Sequence, residues 1–232
     1  MMHTDQLIQK LKKQQNSKLD FYTPSGLHVY FKDPLIDDSI DAEAAVSKFE
    51  SMMPMHLLSC IEMIIFGDFE EFHERSLNAF YDSGAIYTTN LQDDENDILD
   101  DLVHELSHGV EEQYGYQIYG DQKLRDEFLN KRMHLYKILW EMGFKAPKAF
   151  FQDIEYNQEF DEFLHQTVGY DTLSNSLQGL FISPYAATSL REYFATGFTD
   201  FFIQSDHKFL KTVSPALYDK IILLQKEENL DF

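Results

Sequence analysis

The residues His104-Glu105-Leu106-Ser107-His108 carry the densest chemistry in the chain. On a helix, two histidines four residues apart leave the same face, a little over one turn from each other. Two imidazoles on one face can clamp a zinc ion. Glu105, beside the first of them, is placed to take a proton from a water activated there. Unrelated helices also carry this short pattern on their surfaces by chance, so the surrounding elements have to support the metal reading.

The apolar residues Ile98, Leu99, Leu102, Val103, Leu106 and Val110 follow a helical period over residues 97–114 and form one buried stripe. His104 and His108 flank that stripe, which predicts a half-buried site at the edge of a core. Asp93, Asp94, Glu95, Asn96 and Asp97 precede the helix and offer N-caps and negative charge at the positive dipole end. Asp100 and Asp101 stand near His104, where either could accept a hydrogen bond from its ring. Both are also the residue type that a helix start favours, and that plainer role is the expected one.

Zinc catalysis needs a third protein ligand and an open position. The subclass with a glycine and a third histidine shortly after the motif is excluded, because Glu111 and Tyr114 occupy those places. Glu127 stands at a thermolysin-like distance, but residues 121–142 read as a charged amphipathic helix whose carboxylates face solvent. Glu192 is the other candidate. It sits among Leu190, Tyr193, Phe194 and Phe198, and a carboxylate in such company needs a partner. Ser189-x-x-Glu192 also matches a capping box, so the residues alone divide Glu192 between a metal and a backbone N–H.

These segments resemble the catalytic domain of anthrax lethal factor and its relatives, which include the secreted Pro-Pro endopeptidases. The resemblance rests on Tyr185-Ala-Ala-Thr-Ser-Leu-Arg-Glu192 followed by Tyr193-Phe194-Ala195 and Phe198. It extends to His108-Gly-Val-Glu-Glu-Gln-Tyr-Gly-Tyr116 and to the stretch from Phe80 to Leu91, covering residues 60–116 and 180–205 well and the rest loosely. The Tyr185–Glu192 spacing is far more specific than the histidine pair. The resemblance implies a zincin-like fold and a zinc-dependent endopeptidase. It implies that His104, His108 and Glu192 bind zinc, that Glu105 is the general base, and that Tyr185 donates its hydroxyl to the oxyanion. A phenol is a neutral donor at pH 7 and suits that last role.

One departure from the family is the distance in sequence between the motif helix and Glu192. The intervening residues, about 117–178, read as an insertion that walls or covers the cleft, or that binds a partner. It contains the helix over 121–142, the Gly143–Pro147 break and an acidic, aromatic stretch over 150–170. Gly84-Ala-Ile-Tyr-Thr-Thr-Asn90 is rich in β-formers and stands just before the active helix. It is expected to be a sheet edge along which an extended peptide substrate pairs.

With 232 residues and 44% apolar content the chain can bury a substantial core. The expected architecture is one α+β domain over 1–232, predominantly helical, with a small mixed sheet whose edge strand precedes the active-site helix. Strands are predicted over 27–32 and 60–66, helices over 4–18 and over 41–58 with a break at Pro54, and a last helix from Ser214-Pro215 through Gln225. The net charge of −21 argues against nucleic acid as partner and suits a cationic peptide or simple solubility. Cys60, the single cysteine, allows no intrachain disulfide. No apolar run reaches membrane-spanning length, and no signal-peptide core follows the first charges. The expected location is therefore the cytoplasm, or delivery by a route without a classical signal peptide. Two other expectations compete with the enzyme: a catalytically inactive zincin-fold protein binding a partner through its acidic surface or insertion, and an acidic decoy for a basic protein surface.

Overall fold

The computed structural model describes residues 20–75, 77–176 and 179–230. The helix expected over 4–18 lies outside the described residues. The protein is α+β, with helices predominating over a five-stranded mixed sheet. The chain divides into two compact units, the first ending at Gly109 and the second beginning at Val110. Among the described residues no helix is long and apolar enough to cross a membrane.

The first unit is organised by the alternation of buried residues along its strands. β1 (Phe21–Tyr22), β2 (His28–Phe31), β3 (Met63–Gly67), β4 (Ala79–Asp82) and β5 (Ala85–Thr89) are ordered β1-β2-β3-β5-β4. β2, β3 and β5 run parallel, and β1 and β4 are antiparallel to their neighbours. The register sets Val29 beside Ile64 beside Ile86, and Phe31 beside Phe66 beside Thr88. These residues are buried on one face, as a period of two requires. The opposite face carries an aromatic cluster in which Phe80 stacks on Tyr87 at 4.6 Å and Phe69 meets Tyr87 edge-on at 5.3 Å.

The strand read from Gly84 to Asn90 is present, but it is not an edge. β5 lies between β3 and β4. The reason is the turn before it. Ser83 and Gly84 both take positive φ, 49° and 86°, which is the geometry of a two-residue hairpin, and Asp82 pairs with Ala85 across it. The chain before the turn therefore folds back onto the outer side of β5. Among the described residues the sheet edges are β1 and β4.

Helix α1 (Ala42–Met52) is capped by Asp41, whose carboxylate accepts from the Ala44 N–H, and Pro54 separates it from α2 (Met55–Leu58). α3 (Glu70–Arg75) follows β3. α4 (Glu95–Tyr119) is capped by Asp94, whose Oδ1 accepts from the N–H groups of Asn96 and Asp97 at 2.7 and 3.1 Å. Its Ile98, Leu99, Leu102, Val103 and Leu106 are almost fully buried. At Gly109 the helix backbone comes so close to its surroundings that an added Cβ would lie 3.1 Å from the Tyr81 ring and 3.2 Å from the Cys60 carbonyl. Glycine is what permits this approach directly after His108.

In the second unit α5 (Lys123–Glu141) turns Leu124, Phe128, Leu135 and Leu139 into the core. A 3-10 turn (Lys148–Phe151), α6 (Gln158–Glu162) with its π-helical continuation (Phe163–Val168), and α7 (Tyr170–Ser176) come next. α8 (Leu190–Ile203), α9 (Lys208–Val213) and α10 (Pro215–Leu224) complete it. Glu127 resolves one alternative from the sequence. Its two oxygens accept from the Tyr193 hydroxyl and from the Ala216 and Leu217 N–H groups, so it caps α10 and sits where a structural carboxylate is needed.

α8 packs on α10 through Gly197, where an added Cβ would meet Leu217 Cδ2 at 2.2 Å and Cγ at 2.8 Å. Gly197→Ala is expected to destabilise the protein by about 1–3 kcal/mol through overpacking. The measurement is the urea midpoint, and adding Leu217→Ala should cost less than the two single effects together. A neutral Gly197→Ala, or strict additivity, contradicts this packing.

Candidate metal centre

One ligand atom from each of His104, Glu105 and His108 lies within 4.8 Å of the others. The two imidazoles are 5.3 Å apart between centroids and nearly perpendicular, at 83°. Glu105 and His108 are buried, at 8% and 7% exposure, and His104 is half-buried. The Ser107 hydroxyl donates to the His104 carbonyl at 2.6 Å, which leaves Glu105 as the other polar side chain between the histidines. Two imidazole nitrogens on a partly desolvated helix face are a pair that suits zinc, and the carboxylate beside them is within reach of a water on such an ion.

The acids ahead of the pair divide in role. Asp101 accepts from Thr88 Oγ1 at 3.3 Å and from Gln92 Nε2 at 3.2 Å, so it ties α4 to β5. The Gln92 amide also donates to Thr88 Oγ1 and to the Thr89 carbonyl, while its buried Oε1 has no partner among the described residues. Burial pushes the Asp101 carboxyl up to about 7, against the pull of Gln92 and Thr88 and with a push from Asp97 and Glu105. Asp100 is also raised, by desolvation, with His104 drawing it back down. Its side chain is exposed, so solvent screens both effects.

The second unit holds the other two expected residues. Pro184 leads into a 3-10 turn at Tyr185–Ala187. Ser189 then caps α8, its Oγ accepting from the Glu192 N–H at 3.1 Å. That is half of the capping box read from the sequence. Glu192 lies in the first turn of α8 and is half-buried. Burial pushes the Tyr185 phenol well above its ordinary range, and the negative charges of Glu192 and Asp161 add to this. Tyr185 and Glu192 are therefore electrostatic neighbours, and the phenol is a neutral hydrogen-bond donor.

Several residues around Tyr185 escaped the sequence reading. Asp161 accepts from Tyr156 at 3.1 Å and from Tyr170 at 3.4 Å, and all three act on Tyr185. The signal was the acidic, aromatic stretch over 150–170, read as an insertion without particular residues. Glu111, which stands in the sequence where one zinc subclass has glycine, accepts from the Tyr119 hydroxyl at 2.5 Å and from Arg191 Nε at 2.9 Å. It thus fixes Arg191, the residue before Glu192.

Comparison of the chain with protein-family models, with curated proteins and with solved structures returns no match.

Asp101 generates a pH prediction. A folded-state value of about 7 against an ordinary 3.8 means that the folded state holds this proton more tightly than the unfolded chain. The stability contributed by the group is complete below about pH 4 and is lost as pH rises through about 7. Asp101→Asn removes this titration. Urea midpoints taken at pH 5 and pH 8 should then differ less than in the wild type, and an unaltered difference would refute the assignment.

Proposed function

We propose that the chain is a zincin-like, zinc-dependent endopeptidase. The observation that carries the reading is the convergence of His104, Glu105 and His108 on one buried helix face within ligand distance. The spacing of Tyr185 and Glu192 in the sequence, and their electrostatic coupling, add a hydroxyl donor and a carboxylate of the kinds such a reaction uses.

In this reading His104, His108 and Glu192 hold the ion. Bound there, zinc would act as a Lewis acid on the scissile carbonyl and acidify a water. Glu105 takes the proton of the attacking water and passes it to the departing amine. Tyr185, kept protonated by its surroundings, donates its hydroxyl to the oxygen on which negative charge develops. β4 replaces the segment first read as the substrate ledge. It is antiparallel and at an edge, so an extended peptide can add to it as a further strand.

Glu105→Gln keeps the shape and removes the base. Turnover of a peptide library, read by sequencing new N-termini, is expected to fall about 10²–10⁴-fold while zinc content stays at the wild-type level. His108→Ala is expected to lose both zinc and turnover. If the Glu105→Gln protein cleaves as well as wild type, the peptidase reading fails. If wild-type protein takes up zinc but cleaves nothing, while retaining salt-sensitive capture of a basic protein, the binding-protein reading replaces it.

A further inference from the structure

Arg132 is 1% exposed and, among the described residues, has no carboxylate at hydrogen-bond distance. Its place on α5 continues the apolar stripe of Leu124, Phe128 and Leu135, where a leucine would pack without desolvating a charge. The guanidinium instead spends its donors on backbone carbonyls. Nη1 donates to Ala187 at 2.5 Å and to Thr188 at 3.1 Å, and Nη2 donates to Phe150. The Phe160 ring lies 4.1 Å and the Phe128 ring 5.1 Å from its central carbon, so two π faces stand in for a counter-ion. Nε has no partner among the described residues. Burial draws the group down to about 9, opposed by Asp153, which leaves it charged at neutral pH.

Two of the three carbonyls it grips, those of Ala187 and Thr188, lie between Tyr185 and Glu192. Ala187 ends the 3-10 turn that Tyr185 begins, and Thr188 precedes the Ser189 cap of α8. A second bond secures the same junction, for the Leu190 N–H donates to the Ile154 carbonyl at 2.8 Å. Phe150, Ile154 and Phe160 all belong to the stretch that the sequence presented as an insertion. That stretch and Arg132 together clamp the turn from which the phenol and the carboxylate project. A planar fork reaching carbonyls in two segments fixes peptide orientation in a way that an apolar side chain cannot.

We infer that Arg132 is a positioning residue that sets the relation between the Tyr185 hydroxyl and the Glu192 carboxylate, which the proposed zinc peptidase reading makes oxyanion donor and metal ligand. The inference rests on that reading, and the test keeps the two apart.

Full-length Arg132→Met and Arg132→Lys are compared with Leu135→Ala, a cavity in the same helix at a fully buried residue that has no part in the clamp. Three quantities are read well below each melting temperature: amide exchange over residues 185–195, zinc affinity by chelator competition, and kcat and KM on a cleaved peptide. Both Arg132 variants should exchange faster over 185–192 and bind zinc about 10–100-fold more weakly, as for the loss of groups that orient metal ligands. Their kcat should fall about ten-fold with KM nearly unchanged, the pattern of an interaction made in the transition state. Leu135→Ala should lower the melting temperature without these changes. If the Arg132 variants behave like Leu135→Ala, the positioning role is wrong. Should Arg132→Met fail to fold, Arg132→Lys decides, because it keeps the charge and loses the fork: wild-type zinc affinity in it overturns the inference. If the wild type itself binds no zinc, the peptidase reading fails, and exchange over 185–192 alone tells whether Arg132 holds the turn.

Discussion

The four-residue step along α4 brings His104 and His108 to the same side of the helix, and a metal centre there requires it. Without a regular helix the two rings would diverge, and Glu105 could not share their space within 4.8 Å. The first unit protects that regularity. Asp94 satisfies the first amides of the helix, the apolar stripe from Ile98 to Leu106 is buried, and Asp101 bonds to Thr88 on the inner strand β5. Gly109 removes the side chain that would push the end of the motif away from Tyr81 and Cys60.

The second unit meets its demands differently, with buried and half-buried charges satisfied largely by backbone. Lys131 donates to the Leu180 and Val213 carbonyls and to the Ser214 hydroxyl, Arg132 donates to three carbonyls, and Glu127 accepts from two amides and a phenol. Side chains that bond to main chain fix where loops run. The turns into α8 and α10 are held in this way, so the start of α8, with Glu192 in its first turn, is determined by residues far from it in sequence.

What could be read from the sequence was what local physics decides. The helical stripe around the histidines, the acidic cap before α4, the cap at Ser189, the break at Pro54 and the proline start of α10 all depend on neighbours within a few residues. Strand pairing was not legible. The residues from Gly84 to Asn90 look the same whether or not another strand lies outside them, and the left-handed pair Ser83-Gly84 that folds β4 back shows itself only in the backbone. Glu127 looked like a solvated carboxylate or a distant ligand because its partners come from α8 and α10. Arg132 fell on the buried face by periodicity. Its partners are carbonyls, which every residue has, so nothing in their side chains announced the contact.

Crystals grown with zinc and measured across the metal's absorption edge would locate the ion. One anomalous peak is expected, with imidazole nitrogens of His104 and His108 and a carboxylate oxygen of Glu192 each at about 2.0–2.2 Å, and Glu105 close by but outside the coordination sphere. A peak elsewhere, or an ion on the histidines with the residue-192 carboxylate engaged in other bonds, would contradict the proposed centre.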